Sequence, residues 1–100
     1  MPGETNLHSM STCFTVIGSN SFSGAHFCDY LINQGHQVLG ISRSPEPDPV
    51  FLPYKQNRNH QKLFQFYQAD LNSDVEKILA LIRDSKSEFI VNFAAQGMVA

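Results

Sequence analysis

Along this chain of 100 residues the apolar positions follow two rhythms. "CFTVIG" at 13–18, "HQVLGIS" at 36–42 and "EFIVNFAA" at 88–95 are nearly continuous apolar runs of strand length, as buried parallel strands require. "LFQFYQ" at 63–68 alternates more, the pattern of an edge strand. Elsewhere the spacing turns helical. Phe22, Ala25, Cys28, Leu31 and Ile32 recur on one face of "SFSGAHFCDYLINQG", with Asn20 placed to cap its start and Gly35 its end. "NSDVEKILALIRDSK" is the clearer helix. Val75, Ile78, Leu79 and Ile82 share a face, Ser73 and Glu76 have capping-box spacing, and Arg83 and Lys86 suit the C-terminal end.

The segments between are punctuated by composition. Four prolines between positions 45 and 53 disfavour a regular helix or central strand in "RSPEPDPVFLPY". "KQNRNHQK" at 55–62 is polar and mildly basic and reads as a solvated loop. Residues 1–12 are polar and aperiodic, a flexible N-terminal extension. Residues 13–100 thus run β-α-β-loop-β-α-β, which predicts an α/β, Rossmann-like parallel sheet of strand order 3-2-1-4, truncated after the fourth strand. The first and fourth strands would be central in the complete sheet. The edge left open by such a truncation predicts self-association.

Composition narrows the function classes. With 42% hydrophobic residues, 16% charged residues and a net charge of −2, the chain fits one small soluble domain. It carries no electrostatic drive toward nucleic acid or an anionic membrane. No apolar run has membrane-spanning length, and the start lacks the basic and apolar regions of a secretory signal, so a cytoplasmic location is expected. Cys13 and Cys28 have neither CxxC nor metal spacing and fall at apolar positions, where they read as small buried hydrophobes. The four histidines also lack ligand spacing, so no metal site is expected.

The candidate chemistry lies at the strand ends. "VIGSNSFSG" at 16–24 takes the chain from a strand to a helix whose unpaired N–H groups would face the loop. Gly18 would permit the tight turn and Gly24 close helix packing, while Ser21 stands where a pyrophosphate-facing glycine is usual. The serine's hydroxyl and N–H are both donors. By itself this GxxSxxG spacing fits a phosphate-cradling turn or a plain capped loop equally well. A lysine-bearing P-loop is excluded by residue and by spacing.

At the end of the second strand stands Ser42-Arg43-Ser44 in place of the acidic residue that would bind a ribose 2′-hydroxyl. An arginine flanked by hydroxyls suits a 2′-phosphate, hence NADP rather than NAD, and the alternative is an exposed arginine in a turn. Asp70 closes the third strand as either an acceptor for an adenine amino group or a helix-preceding turn aspartate. Ala94 and Ala95 leave room for a cofactor against the backbone or for close packing on the first helix.

Together these segments resemble the extended short-chain dehydrogenase/reductase family, in particular its NAD(P)-dependent sugar-nucleotide epimerases and dehydratases. The family's TGxxGFxG turn is matched at Gly18, Phe22 and Gly24 and departed from at Ile17 and Ser21. "ADL" resembles the family's adenine-contacting pair at Asp70 and Leu71, and "NFAAQ" its cofactor-lining segment after the fourth strand. Ser42-Arg43 resembles the NADP-using members, such as the GDP-mannose 4,6-dehydratase group. The resemblance runs from about residue 13 to the end of the chain. It implies pyrophosphate contacts at Gly18, Asn20, Ser21 and Phe22, with Gly24 behind them. It also implies 2′-phosphate contacts at Ser42, Arg43 and Ser44, adenine contacts at Asp70 and Leu71, and Ala94 and Ala95 on the nicotinamide side.

Family chemistry is hydride transfer between a nucleotide-sugar substrate and the nicotinamide, assisted by a Tyr-x-x-x-Lys pair. Tyr30, Tyr54 and Tyr67 are followed four residues on by Gln34, Arg58 and Leu71, so no catalytic residue is assigned. The chain is expected to be inactive alone. A non-catalytic dinucleotide-binding or redox-sensing module is the alternative from a different class.

Overall fold

Four short runs of apolar residues pair into one parallel sheet in the order β3-β2-β1-β4. The computed structural model describes residues 12–94. Ala95 and all but Thr12 of the expected N-terminal extension lie outside the described residues. The elements are β1 (Cys13–Ile17), α1 (Phe22–Asn33), β2 (Gln37–Ser42), α2 (His60–Leu63), β3 (Phe64–Gln68), α3 (Val75–Ser85) and β4 (Phe89–Asn92). Ile17 lies opposite Ile41 on β2 and Asn92 on β4, and Ser42 lies opposite Gln68 on β3. This register brings the C-terminal ends of all four strands to one edge of the sheet, so the loops that follow them share it. The alternating β3 is an edge strand, as its pattern predicts.

Successive strand residues point to opposite faces, and the core divides accordingly. Val16 and Val38 pack with Ala25, Cys28, Leu31 and Ile32 of α1, and with Leu52, Tyr54 and Phe64. Ile17, Leu39 and Ile41 face the other way, toward Ala69 and Ile78. Each fully buried aliphatic side chain contributes roughly 1.5–3 kcal/mol. Cys28 is wholly buried and its thiol is pushed up by that burial and by Asp29, as a packing residue rather than a nucleophile.

On α1 and α3 three features differ from the pattern-based reading. On α1, Phe22 is 80% exposed while Ala25, Cys28, Leu31 and Ile32 are buried, so the apolar stripe begins one turn later than its spacing suggested. On α3 only Ile78 is fully buried, and Val75 and Leu79 face outward. The helix begins after Asp74 with no side-chain cap, not with a Ser73–Glu76 box. Its entry is instead organised by Asp70, whose carbonyl accepts from Ser73 and Asp74 and whose N–H donates to the Asp74 carboxylate at 2.8 Å.

The proline-rich segment forms two short 3-10 turns, Pro49–Phe51 and Pro53–Gln56. Leu52 and Tyr54, on either side of Pro53, are completely buried. The Tyr54 ring stacks on Phe64 at 4.2 Å, and its hydroxyl donates to Glu46 at 2.7 Å. Glu46 also pairs with Lys55 at 2.9 Å. Asn57 donates to Asp29 and Asn33 on α1, and residues 60–62 of the expected solvated loop are helical together with Leu63, the expected first residue of the third strand. No helix among the described residues is long and apolar enough to cross a membrane.

Candidate functional site

The turn after β1 is built from backbone that only small residues allow. Gly18 has φ +85°, and a β-carbon there would fall 2.8 Å from the Ala94 backbone nitrogen, at the end of the segment following β4. Gly18 N–H donates to the Ile41 carbonyl at 2.7 Å, which ties the turn to β2. At Gly24 an added β-carbon would fall 2.1 Å from the Gly18 carbonyl oxygen, so α1 closes directly onto the turn.

Ser21, not Asn20, is the N-cap of α1. Its backbone is extended, and its hydroxyl accepts from Gly24 N–H at 3.0 Å while donating to the Gly18 carbonyl at 2.8 Å. Its own N–H also donates to that carbonyl, at 3.0 Å. Both Ser21 donors expected to reach a pyrophosphate are therefore engaged within the turn. The donors left over at the start of α1 are the Phe22 and Ser23 N–H groups, which have no acceptor among the described residues. The Phe22 ring faces solvent and lies against His26 at 4.4 Å, so this residue can serve the site only through its backbone.

Asn20 reaches across to the segment after β2. Its N–H donates to the Ser42 hydroxyl oxygen at 3.1 Å, and its side-chain amide donates to the carbonyls of Ser44 at 3.0 Å and Pro45 at 2.9 Å. Its Oδ1 is buried and has no hydrogen-bond partner among the described residues. Ser42 is buried, its hydroxyl 3.4 Å from that of Ser19 and accepting from Asn20, so it ties the turn to the end of β2. Arg43 is exposed, and its guanidinium makes no ion pair among the described residues.

At the end of β3, Asp70 spends Oδ1 on the Asn72 N–H at 2.8 Å, the turn aspartate role, and its second oxygen carries no protein hydrogen bond among the described residues. Leu71 is 37% exposed beside it.

These strand ends enclose a cleft of about 530 Å³. Gly18, Asn20 and Ser21 line it from the first turn, Ser42, Arg43 and Ser44 from β2, Asp70 and Leu71 from β3, and Ala94 from β4. Of the residues singled out from sequence, Gly24 lies behind the turn, Phe22 lies outside the cleft lining, and Ala95 is outside the described residues. Ile17, Ala69 and Asn72 complete the lining without having been expected as site residues, and only their adjacency in sequence to Gly18, Asp70 and Leu71 could have indicated them. No group of three or more His, Cys, Asp or Glu residues among the described residues could hold a metal ion.

Comparison with known proteins bears on this arrangement. Residues 14–100 match the model of the NAD dependent epimerase/dehydratase family. No curated protein matches. Among solved structures, dTDP-glucose 4,6-dehydratase from Bacillus anthracis in complex with NAD superposes with a TM-score of 0.69 at 17% identity, over 89% of this chain and 28% of that one. UDP-glucose-4-epimerase from Stenotrophomonas maltophila, with bound NAD and formylated UDP-arabinopyranose, gives 0.67 at 24% identity over 83% and 24%. The Bordetella bronchiseptica enzyme WbmH in complex with NAD+ gives 0.68 at 19% identity over 86% and 27%. The chain thus spans about a quarter of the length of these structures, and at such identities the likeness is one of fold. A family match over nearly the whole sequence, on a fold with its strand-end cleft, leads to one conclusion: the chain belongs to the NAD-dependent epimerase/dehydratase family.

Proposed function

We propose that the strand-end cleft binds a dinucleotide, NADP in preference to NAD, as the cofactor segment of a sugar-nucleotide epimerase or 4,6-dehydratase. The observation that carries this reading is the convergence on one cleft of the Gly18 turn, Arg43 and the Asp70-Leu71 pair. The pyrophosphate would sit at the start of α1, where Phe22 and Ser23 N–H have no acceptor among the described residues and the helix end is electropositive. The absence of a β-carbon at Gly18 makes room for the Phe93–Ala94 backbone, which brings the segment after β4 against the turn and into the cleft lining. The free oxygen of Asp70 and the exposed side of Leu71 suit an adenine amino group and ring face. Ala94 and Ala95 would line the nicotinamide side.

The preference for a 2′-phosphate rests on Arg43. The solved neighbours carry NAD, for which an acid near the second strand is the usual ribose ligand. Here the first acid after β2 is Glu46, and it is committed to Tyr54 and Lys55. The guanidinium of Arg43 is uncommitted among the described residues and is geometrically suited to phosphate.

Bound NADP supplies hydride acceptance at the nicotinamide. This chain's part is to hold and orient it, and without a Tyr-x-x-x-Lys pair in these 100 residues we propose that the segment binds without turnover. The nucleotide-sugar substrates of the neighbouring enzymes set the substrate class of this proposal. Calorimetric titration with NADPH and NADH tests it, and no response to either at millimolar concentration would remove the binding reading.

A further inference from the structure

Three successive carbonyls follow β2, those of Arg43, Ser44 and Pro45, and all three accept hydrogen bonds from side-chain amides of neighbouring strand ends. Gln68, the last residue of β3, donates to the Arg43 carbonyl at 3.0 Å. Asn20, in the turn after β1, donates to the Ser44 and Pro45 carbonyls at 3.0 and 2.9 Å. The Asn20 backbone also grips the Ser42 hydroxyl, so the segment is held immediately before Arg43 as well as after it. Gln68 is steadied in turn by Lys77 of α3, which reaches its carbonyl at 3.3 Å. The orientation of the Asn20 amide is fixed by this arrangement, because only its nitrogen can face two carbonyl oxygens. The cost is visible on the other side, where Oδ1 is buried without a partner among the described residues.

Resting on the reading of Arg43 as the 2′-phosphate ligand, we infer that Asn20 and Gln68 are positioning residues that hold the backbone on both sides of Arg43 and so set the choice between the two dinucleotides. Neither needs to touch the phosphate. An arginine on an untethered turn loses conformational freedom when it closes on a phosphate, whereas a tethered one has already been ordered by the fold. The effect is therefore specific to the cofactor that carries the 2′-phosphate. In this role Asn20 differs from a residue that contacts the pyrophosphate, which is common to both cofactors.

The test is the ratio of dissociation constants for NADPH and NADH, measured by calorimetry on the full chain and on Arg43→Ala, Asn20→Ala, Asn20→Asp and Gln68→Ala. Arg43→Ala is expected to abolish the NADPH preference. Asn20→Ala and Gln68→Ala are each expected to weaken NADPH on the order of fivefold while NADH changes less than about twofold. Asn20→Asp is expected to be the more severe change at that position, since it sets carboxylate oxygens against two carbonyls. Gln68 is exposed, so its variant folds even if those at Asn20 do not, and circular dichroism verifies each protein.

If Arg43→Ala abolishes the preference but Asn20→Ala and Gln68→Ala retain the wild-type ratio, the positioning role is overturned and the reading of Arg43 survives. Equal weakening of both cofactors by the Asn20 and Gln68 variants also overturns it, because it places their action at the pyrophosphate or in general stability. An unchanged ratio in Arg43→Ala, or a wild-type chain that binds neither cofactor, removes the reading of Arg43 and the inference with it.

Discussion

Gly24 is packed against Gly18 so closely that a β-carbon on Gly24 would lie 2.1 Å from the Gly18 carbonyl oxygen. The obstruction is backbone, and that same oxygen accepts two bonds from Ser21, so it cannot swing aside. Gly24→Ala is therefore expected to cost about 3 kcal/mol or more, enough to unfold much of a small domain. Chemical denaturation followed by circular dichroism checks this. A stability within error of wild type would show that α1 can move away from the turn.

Ser21 stands where dinucleotide turns carry a glycine, and here it caps the helix. Ser21→Ala is expected to lose about 1 kcal/mol, because the Gly24 N–H is left without its acceptor. Ser21→Gly should cost only a few tenths of that and should bind NADPH at least as tightly as wild type. Paired denaturation and titration curves decide. If Ser21→Gly binds more weakly, the hydroxyl is itself a ligand for the cofactor.

Tyr54 joins the proline-rich segment to the core by two separable means. Tyr54→Phe keeps the stack on Phe64 and loses the bond to Glu46, an expected cost of about 1–2 kcal/mol. Tyr54→Ala also empties the site between α1 and Phe64, at about 3–5 kcal/mol. Urea unfolding midpoints should rank wild type, Tyr54→Phe and Tyr54→Ala in that order.

His60 lies beside this cluster, and burial and the Lys55 ammonium lower its pKa from the ordinary 6.5, with Glu46 partly opposing them. The unfolded chain therefore binds a proton at this site more readily than the folded one. Its contribution to stability is present above the unfolded value and is lost as pH falls through 6.5 toward the lower folded value. The urea midpoint should drop between about pH 7.5 and about pH 5.5, and His60→Gln should flatten that drop. An identical pH profile in the variant would assign the dependence to other groups.

On β4, Phe89 and Ile90 are each more than half exposed, and among the described residues no strand pairs with the outer side of β4. Self-association through this edge is the expected outcome, seen as a sedimentation coefficient that rises with concentration. Ile90→Lys should reduce it by placing a charge on the edge. A wild-type chain that sediments as a monomer at all concentrations would count against an exposed pairing edge.

Much of this architecture is local in origin and so was legible in the sequence. Strand order 3-2-1-4 follows from apolar runs alternating with helical spacing, because parallel strands need crossovers and right-handed crossovers leave few orders. Gly18 and Gly24 were identifiable because the need for a residue without a β-carbon is a property of each position. Residues brought together across the sheet were not. Asn20 looks like a cap by type, but capping depends on the backbone angles at the junction, and the fold gave that place to Ser21 and sent the Asn20 amide across to Ser44 and Pro45. Leu52 and Tyr54 sit in a proline-rich segment with no helical or strand periodicity to betray them, and they are buried because α1 and Phe64 leave an apolar space there. The α/β order and the glycine turn are readable from the residues alone, since those depend on neighbours along the chain. Which side chains face the cleft, and which are spent holding it together, only the tertiary structure decided, because it rests on hydrogen bonds between residues more than twenty positions apart.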